Sequence, residues 1–196
     1  LGAVVEASDL RPAAKEQVES LGGKWLDVPM SDDEAQKAKA TGGYAWTPSE
    51  QYIKDQAAVV DKALSNADIV ITTAQIPGRN APRLVHAATL AKMKAGSVLI
   101  DMAAGTGGNV EGSVPNETIT TESGVRIVGA ANIPSMLAAQ SSDLYANNLV
   151  NFITTLIAPA GDDAAANDLS LNLDMEDEIQ GALAVTHDNQ VRLAKR

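Results

Sequence analysis

Asp9 closes an apolar run, Leu1–Leu10 (LGAVVEASDL), that reads as a buried strand. A carboxylate at the carboxyl end of a parallel strand faces the ligand crevice of a doubly wound sheet. There it can accept hydrogen bonds from both hydroxyls of a ribose, and it repels a 2′-phosphate. Such an acid normally stands roughly 20 residues after a Gly-rich phosphate loop. Residue 1 is not Met and already lies inside the strand, so the reading expects the carboxyl-terminal part of a larger nucleotide-binding protein. Asp9 has an alternative role as the cap of a helix opening at Pro12. Arg11, just past the acid, could itself accept a phosphate.

Three later segments carry residue types of the same kind. Thr72–Pro82 (TTAQIPGRNAP) follows a strand and combines small residues with Pro-Gly, bringing backbone close to whatever fills the crevice; a plain turn is the alternative. Asp101–Asn109 (DMAAGTGGN) has glycines at 105, 107 and 108 that permit close approach and positive φ. It departs from a phosphate loop, because Glu111 and Ser113 follow instead of a Lys and a helix. Ala131–Ser135 (ANIPS) offers Asn132 to an amide ligand and Ser135 as a helix cap. His86 and His187 do not combine into a site, and no Ser–His–acid arrangement or metal cluster stands out. The acidic run Asp174–Glu178 reads as a solvated helix start.

Composition narrows the class. With 196 residues and 45% apolar content, the chain can build one domain with a real core. Only 6 residues are aromatic, so Ala, Val, Ile and Leu must fill that core. A net charge of −10 disfavours nucleic acid, whose phosphates require a basic surface. The absence of Cys excludes disulfides, thiolate zinc sites and thiol nucleophiles, and fits a cytosolic setting.

The elements that must position these residues alternate between strand and helix. Strands are expected at Ala3–Ala7, Lys24–Val28, Ala67–Thr72, Ser97–Asp101 and Val125–Val128. Helices are expected at Ala13–Leu21, Ser49–Ser65, Ala81–Lys92 and Ser135–Ile157. Pro29–Thr47 is polar and reads as a loop, long for a strand-to-helix connection and therefore a candidate lid. The pattern predicts an α/β fold with a doubly wound, Rossmann-like parallel sheet, truncated at its amino-terminal side. The domain is expected over residues 1–158, with a linker and appendage over 159–196; there, Leu169–Leu173 and Ala182–Thr186 read as short strands.

The segments together resemble one family. Ser8–Lys24 (SDLRPAAKEQVESLGGK), Thr41–Ala45 (TGGYA), Ile71–Pro82 (ITTAQIPGRNAP), Lys94–Asn109 (KAGSVLIDMAAGTGGN), Asn132–Ser135 (NIPS) and Gln140–Phe152 (QSSDLYANNLVNF) occur in the order found in the NAD-binding component of proton-translocating NAD(P) transhydrogenases. The resemblance implies that Asp9 holds the adenosine ribose of NAD, with Leu10 and Arg11 near the adenine. It also implies that Tyr44 sits on a mobile loop, that Thr73, Ala74 and Pro77 line the nucleotide cleft, and that Asn132 lies near the nicotinamide. The implied reaction is hydride transfer from NADH to NADP on a partner component, coupled to proton passage through a membrane-spanning one. A homodimer, peripheral to the inner membrane on its cytoplasmic side through partner subunits, is implied as well. The related alanine dehydrogenases carry an essential Asp where this chain has Gly105, and their substrate-binding Lys and His lie upstream, which argues against amino-acid oxidation. A non-catalytic nucleotide-binding module on the same fold is the alternative from a different class.

Overall fold

A computed structural model describes residues 2–40, 48–76, 78–159 and 169–192. The chain forms two compact units, Leu1–Ile133 and Pro134–Arg196.

In the first unit, β1 (Glu6–Ala7) and β2 (Lys24–Trp25) pair in parallel across α1 (Pro12–Ser20). Pro12 occupies the first helical turn, where its missing N–H costs nothing. Gly22, at φ 82°, lets the chain leave the helix as the Gly23 amide donates back to the Val18 carbonyl. The expected loop after β2 contains a helix, α2 (Asp32–Ala40). Its origin is a capping box, because the Glu34 amide donates to Ser31 Oγ and three acids fill the first turn. The Glu34 carboxylate also accepts from Ser49, which in turn accepts the Tyr52 amide and so caps α3 (Glu50–Leu64).

The main sheet has the order β3 (Ile69–Thr72), β4 (Val98–Asp101), β6 (Arg126–Gly129), β5 (Thr118–Thr120). β3, β4 and β6 run parallel, and β5 is an antiparallel edge strand that the sequence reading missed. The α/β, Rossmann-like class expected from the alternation holds, with a sheet that is mostly parallel. One face carries Leu99 and Ile127, packed with Leu64, Val85, Leu90, Met93, Val110 and Val125. On the other face Ile69 and Ile71 are 68% and 60% exposed, although a near-continuous apolar run such as Ala67–Thr72 is the usual pattern of a strand covered on both sides.

The expected helix over Ala81–Lys92 shrinks to α4 (Ala87–Leu90). The segment before it is extended instead: the Leu84 and Val85 amides both donate to the Asn109 carbonyl, and Val85 bridges Val110 in parallel. His86 therefore stands just before α4, where the Glu111 carboxylate accepts the Ala87 amide.

α5 (Ile133–Met136) begins on the last residue of the first unit, and α5 and α6 (Ala138–Thr155) stand in place of one expected helix, interrupted at Leu137 with φ −126° and ψ 50°. β7 (Ile157–Pro159) pairs antiparallel with β8 (Leu169–Leu171). α7 (Glu178–Leu183) takes the first two residues of the strand expected over Ala182–Thr186, because Asp177 accepts the Ile179 and Gln180 amides and starts a helix there. β9 (Thr186–His187) and β10 (Gln190–Val191) form a hairpin turned by Asp188 and Asn189, both at positive φ. Among the described residues no helix is long and apolar enough to cross a membrane.

Candidate functional site

The parallel strands end in register. Thr72 pairs with Asp101, and Asp101 pairs with Gly129. The segments 73–82, 102–110 and 130–132 therefore leave the same carboxyl edge of the sheet, where ligands of open α/β folds bind. This register brings Thr73, Ala74 and Asn132, three of the residues that the sequence reading singled out, to one edge. Tyr44 and Pro77 lie outside the described residues. Ser135 falls inside α5 and not ahead of it.

Asp9 lies two residues beyond β1, at its carboxyl end. Its Oδ1 accepts the Arg11 amide at 2.8 Å and Arg11 Nε at 3.0 Å, while Oδ2 accepts Arg11 Nη2 at 2.7 Å. Asp9 thus makes a local turn with Arg11 and does not cap α1, whose N-cap residue is Arg11 with no side-chain cap bond. Partial burial pushes the Asp9 carboxyl upward in pKa, but the Arg11 hydrogen bonds and charge outweigh it and hold the group below its ordinary value. The Arg11 guanidinium is held correspondingly above its own. Both side chains remain accessible, at 33% for Asp9 and 56% for Arg11, so the pair contributes little to stability. Arg11 is committed to the carboxylate instead of being poised alone for a phosphate. Leu10 is partly buried and packs, with Val28, against the small core of Ala38 and Tyr52.

Two fully buried polar residues organise the sheet edge, and the sequence reading assigned neither. Asp101 Oδ1 accepts the Ala103 amide at 3.0 Å and the Thr72 hydroxyl at 3.3 Å, while Oδ2 accepts the Val110 amide at 3.2 Å. The carboxylate closes the base of its own glycine-rich loop. Asn109 reaches across to the neighbouring loop: Nδ2 donates to the Ala74 and Pro82 carbonyls at 2.9 and 2.8 Å, and Oδ1 accepts the Ala74 amide at 3.0 Å. Arg83 adds a guanidinium that donates to the Val110 and Gly107 carbonyls. At the loop tip the Ala81 amide donates to the Thr106 carbonyl at 2.7 Å. Gly107 and Gly108 both have positive φ, and a Cβ on Gly108 would come within 2.8 Å of Asp101 Oδ2. Glycine is required there by the carboxylate beneath it. The available signal was the spacing of an acid at a strand end and an Asn eight residues on, after two glycines. What it lacked was any local mark of partners 27 to 35 residues away in sequence.

The edge suits a dinucleotide by its donor set. It presents small residues at Thr73 and Ala74 and a glycine at 105, while the accessible carboxylate of Asp9 stands at the end of β1, in the separate β1–β2 sheet. Gly105 leaves ordinary space, since a Cβ there would lie 3.4 Å from Ala131 Cβ, but it offers no acid to a substrate.

Comparisons with known proteins agree with this geometry. The family model for the alanine dehydrogenase/PNT C-terminal domain matches residues 1–193. The chain is 41% identical over 191 residues to NAD(P) transhydrogenase subunit alpha of Cereibacter sphaeroides, covering 97% of this chain and 35% of that protein. It is similar in structure to the transhydrogenase of Sinorhizobium meliloti, with a TM-score of 0.71, 44% identity, and coverage of 97% of this chain and 46% of the other. A weaker relative is alanine dehydrogenase 1 of Staphylococcus aureus (strain bovine RF122 / ET3-1), 31% identical over 132 residues, which are 64% of this chain and 36% of that protein. The chain thus spans less than half the length of the transhydrogenase relatives it matches.

Proposed function

The chain belongs to the alanine dehydrogenase/PNT C-terminal domain family, and from that premise we propose that it is the nucleotide-binding part of a transhydrogenase alpha subunit that holds NAD(H). The observation that carries the reading is the shared carboxyl edge, from which the segments bearing Thr73, Ala74 and Asn132 emerge in register. The similarity to transhydrogenase alpha subunits supports it over nearly the whole chain. In this reading Asp9 accepts the hydroxyls of the adenosine ribose, Leu10 and Arg11 border the adenine, and Thr73 and Ala74 line the cleft. Asn132 stands near the nicotinamide. Tyr44 and Pro77 are assigned to the cleft on resemblance alone. Bound NADH supplies a hydride for NADP held by a partner component, and this chain's residues contribute position: they fix the nucleotide against its partner and keep it oriented. Partners are thus an NADP-binding component and a membrane-spanning component, with the chain itself peripheral to the membrane and paired as a homodimer. The proposed unit for this role is residues 1–158, with 159–196 as linker and appendage. Gly105 lacks the carboxylate that oxidation of an amino acid would use, so the transhydrogenase reading is preferred to a dehydrogenase of the alanine type.

Asp9→Ala provides the test. In the alpha subunit carrying this chain, loss of charge-assisted hydrogen bonds worth roughly 1.5–3 kcal/mol is expected to weaken NADH binding by about tenfold or more. Arg11 is released by the same change, so the preference for NADH over NADPH should narrow. Calorimetric titration with both nucleotides reads both effects. Unchanged affinity and unchanged preference would reduce Asp9 to a turn residue.

A further inference from the structure

We infer that Asn109 is a positioning residue that sets the spacing of the loops lining the nucleotide cleft, with Asp101 beneath it holding Asn109 in place. The inference rests on the proposed nucleotide site. Asn109 is fully buried, yet every side-chain bond it makes goes to backbone of the 74–82 segment. Ala74 and Pro82 stand at the two ends of that segment, so one amide closes its base. Asp101 does the same for the next loop, joining the Ala103 and Val110 amides at either end. Val110 directly follows Asn109, so the two closures act in series. The exposed residues between the closures, at 75–76, 78–80 and 105–107, are then carried on bases that are pinned at both ends.

The chemistry of the closure is specific. Asn109 uses two donors and one acceptor at once, a set that neither a carboxylate nor an apolar side chain supplies. Ala74 both gives and receives in this contact, which fixes the peptide directly after Thr73. A side chain that reverses the polarity would push the Ala74 and Pro82 carbonyls away and change the cleft without altering the apolar core below it.

Asn109→Asp is the isosteric test, made in the alpha subunit carrying this chain and read by NADH titration followed by nucleotide fluorescence. The expected result is a dissociation constant raised by roughly tenfold or more, with one binding site per folded cleft retained. A merely structural residue would instead lower the number of competent sites while those remaining kept the wild-type affinity. Asn109→Ser, which removes bulk without placing charge against the carbonyls, is expected to shift affinity in the same direction. Wild-type affinity in either folded variant overturns the inference, as does failure of both variants to fold, which would make Asn109 a core residue only. A wild-type subunit that does not bind NADH overturns the proposed function itself.

Discussion

Replacing Gly129 with alanine is expected to destabilise the first unit by about 3 kcal/mol or more, at the upper end of what overpacking costs. A Cβ on Gly129 would lie 1.9 Å from the Val114 carbonyl oxygen and 2.7 Å from its carbon. The obstacle is backbone, so no rotamer change relieves it. Moving the 114–117 segment aside is also costly, because it is bonded to Gly129 on both sides. The Asn116 amide donates to the Gly129 carbonyl at 2.7 Å, and the Gly129 amide donates to the Glu117 carbonyl at 2.9 Å. Gly129 ends β6 and launches the segment that carries Asn132, so the damage falls beneath the candidate site. Thermal unfolding followed by circular dichroism should show a midpoint lowered by about 6–12 °C. Gly105→Ala is the control: its Cβ would make only an ordinary 3.4 Å contact with Ala131, so its midpoint should stay near wild type. Equal midpoints for the two variants would contradict the packing described at Gly129.

The second large effect is expected at Asp101. Its side chain is fully buried and accepts three hydrogen bonds from Thr72, Ala103 and Val110. Asp101→Ala removes every acceptor at once and strands two buried backbone amides, each costing about 1–3 kcal/mol. A loss of about 3 kcal/mol or more is expected in denaturant unfolding. Asp101→Asn keeps one acceptor oxygen but turns an NH2 group toward one of those amides, so it should fall between alanine and wild type. The loop-specific signature is hydrogen exchange: the Ala103 and Val110 amides should lose protection in Asp101→Ala. The Leu99 amide, deeper in the sheet, should lose less. Retained protection at both loop amides would show that something other than the carboxylate closes the loop.

How much of this was legible in the sequence follows from the range of the interactions. β3 and β4 were readable because short apolar runs with β-branched residues have few other uses, and an acid or hydroxyl at each end marks where the chain leaves the sheet. α3 was readable from its apolar spacing and the Ser49 cap. The long loop was misread although the Ser31-x-x-Glu34 box was present, because a polar composition drew attention away from a local capping signal. Ala81–Val85 was misread as helix because its fate is decided by the Asn109 carbonyl, which no local pattern reveals. The candidate site divides likewise. Asp9, Thr73, Ala74 and Asn132 stand out as residues at strand ends or in the loops that follow. Asn109 works through bonds to backbone 27 to 35 residues away, and Asp101 through the amides of its own loop and the Thr72 hydroxyl, so only the folded chain shows them.

Whether a dinucleotide sits at the carboxyl edge of β3, β4 and β6 and reaches Asp9 beyond β1 is read out by mapping backbone amide perturbations as NADH is added to the alpha subunit carrying this chain. Changes are expected at Asp9–Arg11, at Thr73–Gln75, through the 102–108 loop and at Ala130–Asn132, with Ser97 and Arg126 at the opposite strand ends unaffected. Perturbations centred on those opposite ends, or none at saturating NADH, would rule out a nucleotide at this edge.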